Sequence, residues 1–487
     1  MMKSKVILSI VMVGLLALSI GLAGFGEARA AAKLEPYEII MYVIGTPQKD
    51  LDLVSAELSK YLKEKINTTI KLRQFDWGDE YNQKMQNIID SGQPFDICFV
   101  ASWAANFLRN AHNGAFLPLE NLIEKYGQEM KAVIHPLFLE GIRMKGHIYA
   151  IPNNKELGKQ SVWRFNKKYV DKYNIDITKI KTLEDLEPYL KLIKKNESGV
   201  IPISADRTFN PYLPFDIIGE SRTPYGVYLD TKDYKVINKF EAPETKETLK
   251  KMRQFYKAGY IRADVATTIK GDDEKTGKWF VGKCDTQPLA DIMWSQTLGY
   301  PVVSTPIHEP IVYNESITGS MFAVSVTSQN PERAVMFLNL LNTDPKVRNM
   351  IDHGIEGRHY KLVGDGVIEL LPEHRDYDMP SFALGNLFLI YRYQQDPPDK
   401  WEQFKKFNAQ SKKAPTLGFV FDPSPVQTEY AAVCNVADEF NAMLYTGAVD
   451  PNVYLQKASK KLKAAGGDKV MAEMQRQIDK WRAENSK

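Results

Sequence analysis

The amino-acid sequence predicts an α/β protein of two lobes, on three observations. Its 487 residues exceed what one hydrophobic core organises. Residues 37–103 alternate strand and helix signals. Residues 317–360, late in the chain, hold a strand, a helix and a glycine-flanked acidic turn that read as a return to the first domain.

In order, residues 37–44 form an apolar, β-branched run turned by Gly45-Thr46-Pro47. Leu51, Val54, Leu58, Tyr61 and Leu62 then recur at helical spacing. Residues 66–75 predict a second strand. Tyr81, Met85, Ile88 and Ile89 predict a second helix that Ser91-Gly92 stops, and residues 95–100 a third strand. This β-α-β-α-β order implies a mainly parallel sheet with helices on its faces. Ligands of such sheets sit beyond the carboxyl ends of the strands, which directs attention to Thr46-Pro47-Gln48, Trp77 and Ser102-Trp103. Residues 141–152 predict a hairpin turning near Lys145-Gly146. Residues 182–195 and 245–259 predict helices, 200–243 an irregular stretch rich in Pro, Tyr and Phe, and 280–283 the start of a strand. The chain ends in two helices broken at Gly466-Gly467.

The returning stretch begins with a buried-strand pattern over 321–326. Asn330 then offers a side-chain oxygen to the first free amides of a helix, and Pro331 supplies the φ its first position needs. Ala334, Val335, Phe337, Leu338 and Leu341 give that helix an apolar face. Asp344-Pro345 opens another, and Gly354 ends it.

With 44% hydrophobic and 25% charged residues, the chain has the composition of a folded protein rather than a disordered one. Net charge is +3, and Lys3, Lys5 and Arg29 against Glu27 leave about +1 beyond residue 30. No basic field remains to attract phosphates, so nucleic acid is not expected as a partner. Lys3 and Lys5, an apolar run over 6–25 and small residues at 28–32 predict a signal peptide over residues 1–30, cut after Ala30 or Ala32, and hence export. Leu22-Ala23-Gly24 would form a lipoprotein signal if Cys followed. Phe25 follows instead and offers no thiol for a lipid. Cys98, Cys284 and Cys434 are odd in number and far apart, and Cys98 and Cys434 sit in apolar runs as buried thiols.

Catalytic and cofactor motifs fail on inspection. Residues 271–278 (GDDEKTGK) have one residue too many between the glycines for a phosphate-binding loop, and Trp279 stands where Ser or Thr is needed. The sequence has no HExxH, no GxSxG and no Cys/His metal spacing, so no cofactor or metal is expected. A carboxylate pair for glycoside hydrolysis, drawn from Glu156, Asp206, Glu315 and Glu356, is the enzymatic alternative.

Several fragments in fixed order carry a family resemblance. They are Ser91-Gly92 with Phe95-Asp96-Ile97, Gly114-Ala115-Phe116-Leu117-Pro118-Leu119 and Ile148-Tyr149-Ala150-Ile151-Pro152. Ser328-Gln329-Asn330-Pro331-Glu332-Arg333-Ala334, Gly354-Ile355-Glu356-Gly357-Arg358-His359-Tyr360 and Phe421-Asp422-Pro423-Ser424-Pro425-Val426 follow, then the Lys461-Leu462-Lys463-Ala464-Ala465-Gly466 tail. In this order the chain resembles bacterial extracellular solute-binding proteins of ABC importers. It is most similar to the sugar-binding, lipoprotein-like group whose C-terminal part is a domain of unknown function.

That resemblance implies a type II periplasmic-binding-protein-like fold with hinge strands and an interlobe cleft. Lobe 1 would comprise 33–153 and 320–360; lobe 2 would comprise 154–319 and 361–487, with a C-terminal helical extension. It implies a monomer that closes on a carbohydrate, expected to be an oligosaccharide, and delivers it to a membrane permease without catalysis. A ligand-sensing partner of a membrane kinase would use the same closure. Aromatic rings cover sugar C–H faces and polar groups pair the hydroxyls. The residues expected at the ligand are therefore Ser102 and Trp103, Lys155 and Glu156 in the crossover, Arg207, Phe209 and Trp294 from lobe 2, then Glu356 and Arg392.

Overall fold

The computed structural model describes residues 34–144, 146–269 and 273–485. The expected signal peptide and its expected cleavage point, Phe25 and Lys145 lie outside the described residues.

The first lobe is built on a five-stranded sheet in the order Thr68–Phe75, Tyr37–Ile44, Ile97–Val100, Met321–Val324, Ala150–Pro152. The first three strands are parallel, and Met321–Val324 runs antiparallel to both its neighbours. Ile97, Cys98, Phe99 and Val100 are all fully buried. A strand without a polar alternate is what a sheet covered on both faces requires. Helices Leu51–Ile66 and Asp79–Asp90 follow the first two strands, and Pro331–Thr343 and Pro345–His353 follow the returning one. Asn330 accepts from the Arg333 amide at 3.0 Å, and Asp344 from the Lys346 amide at 2.8 Å, so both caps form as the sequence predicts. Gly354 closes the second helix at φ +85°. A Cβ there would lie 2.3 Å from His359 Nδ1, so both conformation and space demand glycine.

The second lobe has a four-stranded sheet in the order Val302–Pro306, Gln160–Asn166, Trp279–Thr286, Ile201–Ser204. Trp163, Phe165, Phe280 and Val281 pack from it against helices Leu183–Asn196 and Pro243–Lys257. A capping box between Thr182 and Asp185 starts the first of these helices. Helix Pro243–Lys257 serves two cores. Met252 and Phe255 join the sheet, while Leu249 joins a third core with helices Gln427–Tyr445, Pro451–Ala464 and Gly467–Asn485. The break before Gly467 falls where the sequence predicts it.

Two expectations are corrected. Residues 200–243 are not irregular: Ile201–Ser204 belongs to the second sheet, and Phe215–Ile217, Tyr225–Tyr228 and Ile237–Asn238 form a small sheet of their own. The aromatic spacing there serves short strands, too brief to show alternation. Nor does all of 361–487 join the second lobe. Tyr377, Met379, Ala383 and Leu384 pack into the first core. The reason is polar as much as apolar: the fully buried Arg348 donates to the carbonyls of Asn386 and Ser381, and Asn386 donates to that of Asn342. The chain rejoins the second lobe near Thr416, whose amide and hydroxyl both donate to Asp216.

Candidate functional site: an interlobe cleft

Three loops follow the carboxyl ends of the first parallel strands, and the third, at Ser102 and Trp103, lines the cleft. In the first two, Gln48 N–H donates to Gln74, Thr46 hydroxyl to Asp76, and Trp77 N–H to the same Asp76 oxygen. In the third, Ser102 N–H donates to the Thr318 carbonyl at 2.7 Å and Trp103 Nε1 to that of Gly319 at 2.9 Å, tying the loop to the returning chain. Ala105 and Asn106 then adopt left-handed backbone in succession, at φ 54° and 43°. Such conformations cost energy in non-glycine residues. Here Asn82 accepts from the Ala105 amide and Asn110 donates to its carbonyl. The turn so fixed presents Trp103.

Trp103 does not stand alone. Its ring lies 6.3 Å from that of Trp77 at 28°, and Trp77 lies 6.0 Å from Phe382 at 15°. These three rings come from distant parts of the chain, yet remain 45%, 40% and 38% exposed. Phe99 supports Trp103 from the core side at 5.6 Å. A stacked, rigid, exposed aromatic strip is costly to leave in water and suits a flat apolar ligand face.

At Trp103 the strip meets a cleft of about 2440 Å³; Trp77 and Phe382 continue the strip outside the lining of this cleft. Ser102 and Trp103 line it from the first lobe; Phe209, Tyr212, Lys283 and Asp285 from the second; Phe419 and Trp481 from the C-terminal part. The second wall is polar. Asp285 accepts from the Ser161 hydroxyl at 2.8 Å and pairs with Lys159 at 3.2 Å, and Lys159 also pairs with Glu315 at 2.7 Å. Burial would raise the Asp285 carboxyl, but Lys159, Lys283 and the hydrogen bonds hold it below the usual carboxylate range. His308 Nε2 accepts from the Ser161 amide at 3.0 Å, and burial, reinforced by the Lys283 and Lys159 charges, depresses the ring's pKa.

Of the nine residues expected at the ligand, the structure brings Ser102, Trp103 and Phe209 to the cleft. Phe209 is nearly buried and backs the wall rather than facing it. The other six lie elsewhere. Lys155 and Glu156 pair with each other in the crossover, where Asn408 bonds the Lys155 carbonyl and the Leu157 amide. Arg207 is exposed beside the wall, its amide on the Thr268 carbonyl. Trp294 lies under the Arg164 guanidinium at 5.0 Å. Glu356 is exposed on a turn whose Arg358 and His359 bind Asp50, and Arg392 donates to the carbonyls of Asp396 and Pro397. Trp77 follows from the strand-end rule. Phe382 carries no such signal, since an irregular segment delivers it. Lys283 and Asp285 could be found from the polar turn that the Val281, Lys283, Asp285 face takes at the end of its strand.

The profile of bacterial extracellular solute-binding proteins matches residues 47–347. The chain belongs to that family. Residues 415–483, the C-terminal helical part, match the domain of unknown function DUF3502. A carbohydrate ABC transporter substrate-binding protein of Streptococcus pneumoniae is 32% identical over 476 residues, 96% of each chain. The crystal structure of the N-glycan transport solute-binding protein NgtS from Streptococcus pneumoniae has a TM-score of 0.85, covering 93% of this chain and all of that one at 32% identity. A human-milk-oligosaccharide-binding protein of Bifidobacterium longum infantis, 17% identical with a TM-score of 0.63 over 91% of this chain and 99% of that one, shares the fold.

Proposed function

We propose that this solute-binding protein captures an oligosaccharide between its lobes and delivers it to the membrane permease of an ABC importer. The observation that carries the reading is the exposed Trp103–Trp77–Phe382 strip, which enters at Trp103 a cleft that also has a hydrogen-bonding wall. One wall suits sugar C–H faces and the other suits hydroxyls. The cleft exceeds the 300–1,000 Å³ of common small-ligand pockets, which favours several sugar units over one. The likeness to NgtS, solved with Man1GlcNAc and with Man5GlcNAc, points to mannose- and N-acetylglucosamine-containing glycans. The protein acts by binding, as a monomer, outside the membrane. With Phe25 in the place of the lipidated cysteine, no thioether anchor forms there.

Titration calorimetry with Man1GlcNAc, Man5GlcNAc and maltotriose tests the reading. Saturable binding of a glycan, weakened at least tenfold by Trp103→Ala, is expected. No binding of any glycan, or release of new reducing ends during incubation, would overturn it.

A further inference from the structure

Lys283 and Asp285 stand two residues apart on the Trp279–Thr286 strand and so share a face, with Cα atoms about 7 Å apart. Both line the cleft. Their surroundings are unequal. Asp285 is already held by the Ser161 hydroxyl and by Lys159, which Glu315 also binds. The Lys283 ammonium has neither hydrogen bond nor ion pair among the described residues, although it is half-buried. Burial depresses its pKa. The ammonium reaches solvent, so water is its acceptor in the free protein, and a ligand oxygen can take that water's place.

We propose that Lys283 and Asp285 form a subsite that reads a pair of neighbouring hydroxyls on a neutral sugar unit. The ammonium only donates and the carboxylate only accepts. A hydroxyl does both, so one sugar oxygen takes a hydrogen bond from Lys283 while the neighbouring hydroxyl donates one to a free lone pair of Asp285. Charge selects the same ligand. Lys159 and Lys283 balance Asp285 and Glu315, and His308 is neutral, so the cluster carries no net charge. A carboxylate on the ligand would meet Asp285 and Glu315 as well as Lys283. Tyr212, stacked on His308 at 4.5 Å and 23°, borders the same wall with a ring for the sugar's apolar face. Lys283 is thus a specificity-determining residue, and Ser161, Lys159 and His308 position its partner Asp285.

This subsite rests on the oligosaccharide reading, and its test separates the two. Man5GlcNAc is titrated into the wild type, Lys283→Met, Lys283→Arg and Trp103→Ala, from pH 6.5 to 10. Lys283→Met is expected to weaken binding ten- to a hundredfold without moving the ligand-free melting midpoint. Wild-type affinity is expected to fall at alkaline pH, below the ordinary lysine value of about 10.4, and Lys283→Arg to retain binding and lose that fall. Lys283→Met within twofold of wild type, with Trp103→Ala still impaired, overturns the subsite alone. Failure of the wild type to bind overturns both. Tighter binding of the same glycan once a sialic acid is added to it overturns the neutral-ligand assignment.

Discussion

Asp216 accepts from both the amide and the hydroxyl of Thr416, at 2.8 and 2.7 Å, across 200 residues of chain. The contact joins the small sheet of the second lobe to the start of the 415–483 domain, at the wall of the cleft. It is a buried charge held by two neutral donors, and burial pushes the Asp216 carboxyl up from 3.8 to about 6.

A raised carboxyl contributes stability that is complete below its unfolded pKa and lost as pH rises through the folded one. For Asp216 that window runs from 3.8 to about 6. Asn accepts both Thr416 bonds without the charge. Asp216→Asn should therefore stabilise the protein by up to about 3 kcal/mol at pH 8 and leave it unchanged near pH 4. Denaturant unfolding at the two pH values measures this. Equal effects at both would show that the charge is not the cause.

The exposed strip predicts a coupling. Trp77→Ala should weaken glycan binding about tenfold, or ~1.4 kcal/mol, with little loss of stability, because the ring is exposed. Because Trp77 and Trp103 stack on each other, the double substitution should cost less than the sum of the single ones. Additive losses in a calorimetric cycle would mean that the two rings bind separate parts of the ligand.

Arg348 and Asp352 form a fully buried ion pair, one turn apart on a single helix. Arg348 also donates to the Ser381 and Asn386 carbonyls, and Asp352 accepts from the Ser381 hydroxyl. Together they hold the segment that carries Phe382. Removing one partner strands the other charge, so Arg348→Met should destabilise by about 3–5 kcal/mol. It should also weaken glycan binding, because Phe382 is released. Chemical unfolding together with calorimetry checks both; unchanged affinity would remove Phe382 from the site.

Much of the first lobe is legible in sequence because its strands and helices are long enough to show their periods. The Asn330 and Asp344 caps can be read residue by residue. The short strands Phe215–Ile217 and Ile237–Asn238 cannot, since two or three residues carry no period. The candidate site was legible where it follows strand ends, as at the exposed, stacked rings of Trp103 and Trp77. It was not legible at Phe382, which depends on Arg348 reaching across to a segment without pattern. Glu356 shows the opposite failure. An acidic residue between glycines suggests a ligand, but the turn is held by Arg358 and His359 on Asp50, and Glu356 faces solvent.

His353 is buried between Tyr360 and Tyr393, at 6.0 and 5.7 Å, and neither of its ring nitrogens has a hydrogen-bond partner among the described residues. Burial depresses its pKa. Asp352 opposes the shift, Arg348 and His374 reinforce it, and Asp378 opposes it. Burial likewise depresses His135, His308 and His359. A depressed histidine is neutral when folded, so its stability is complete above the unfolded value of about 6.5 and is lost as pH falls from there toward the folded value. The melting midpoint should therefore drop between pH 7 and pH 5, against the opposite contribution of Asp216. His353→Phe keeps an aromatic ring between the two tyrosines and removes the group that must charge. It should flatten this drop, as differential scanning calorimetry across the range would register. An equally steep drop in His353→Phe would assign the acid sensitivity to the other three histidines.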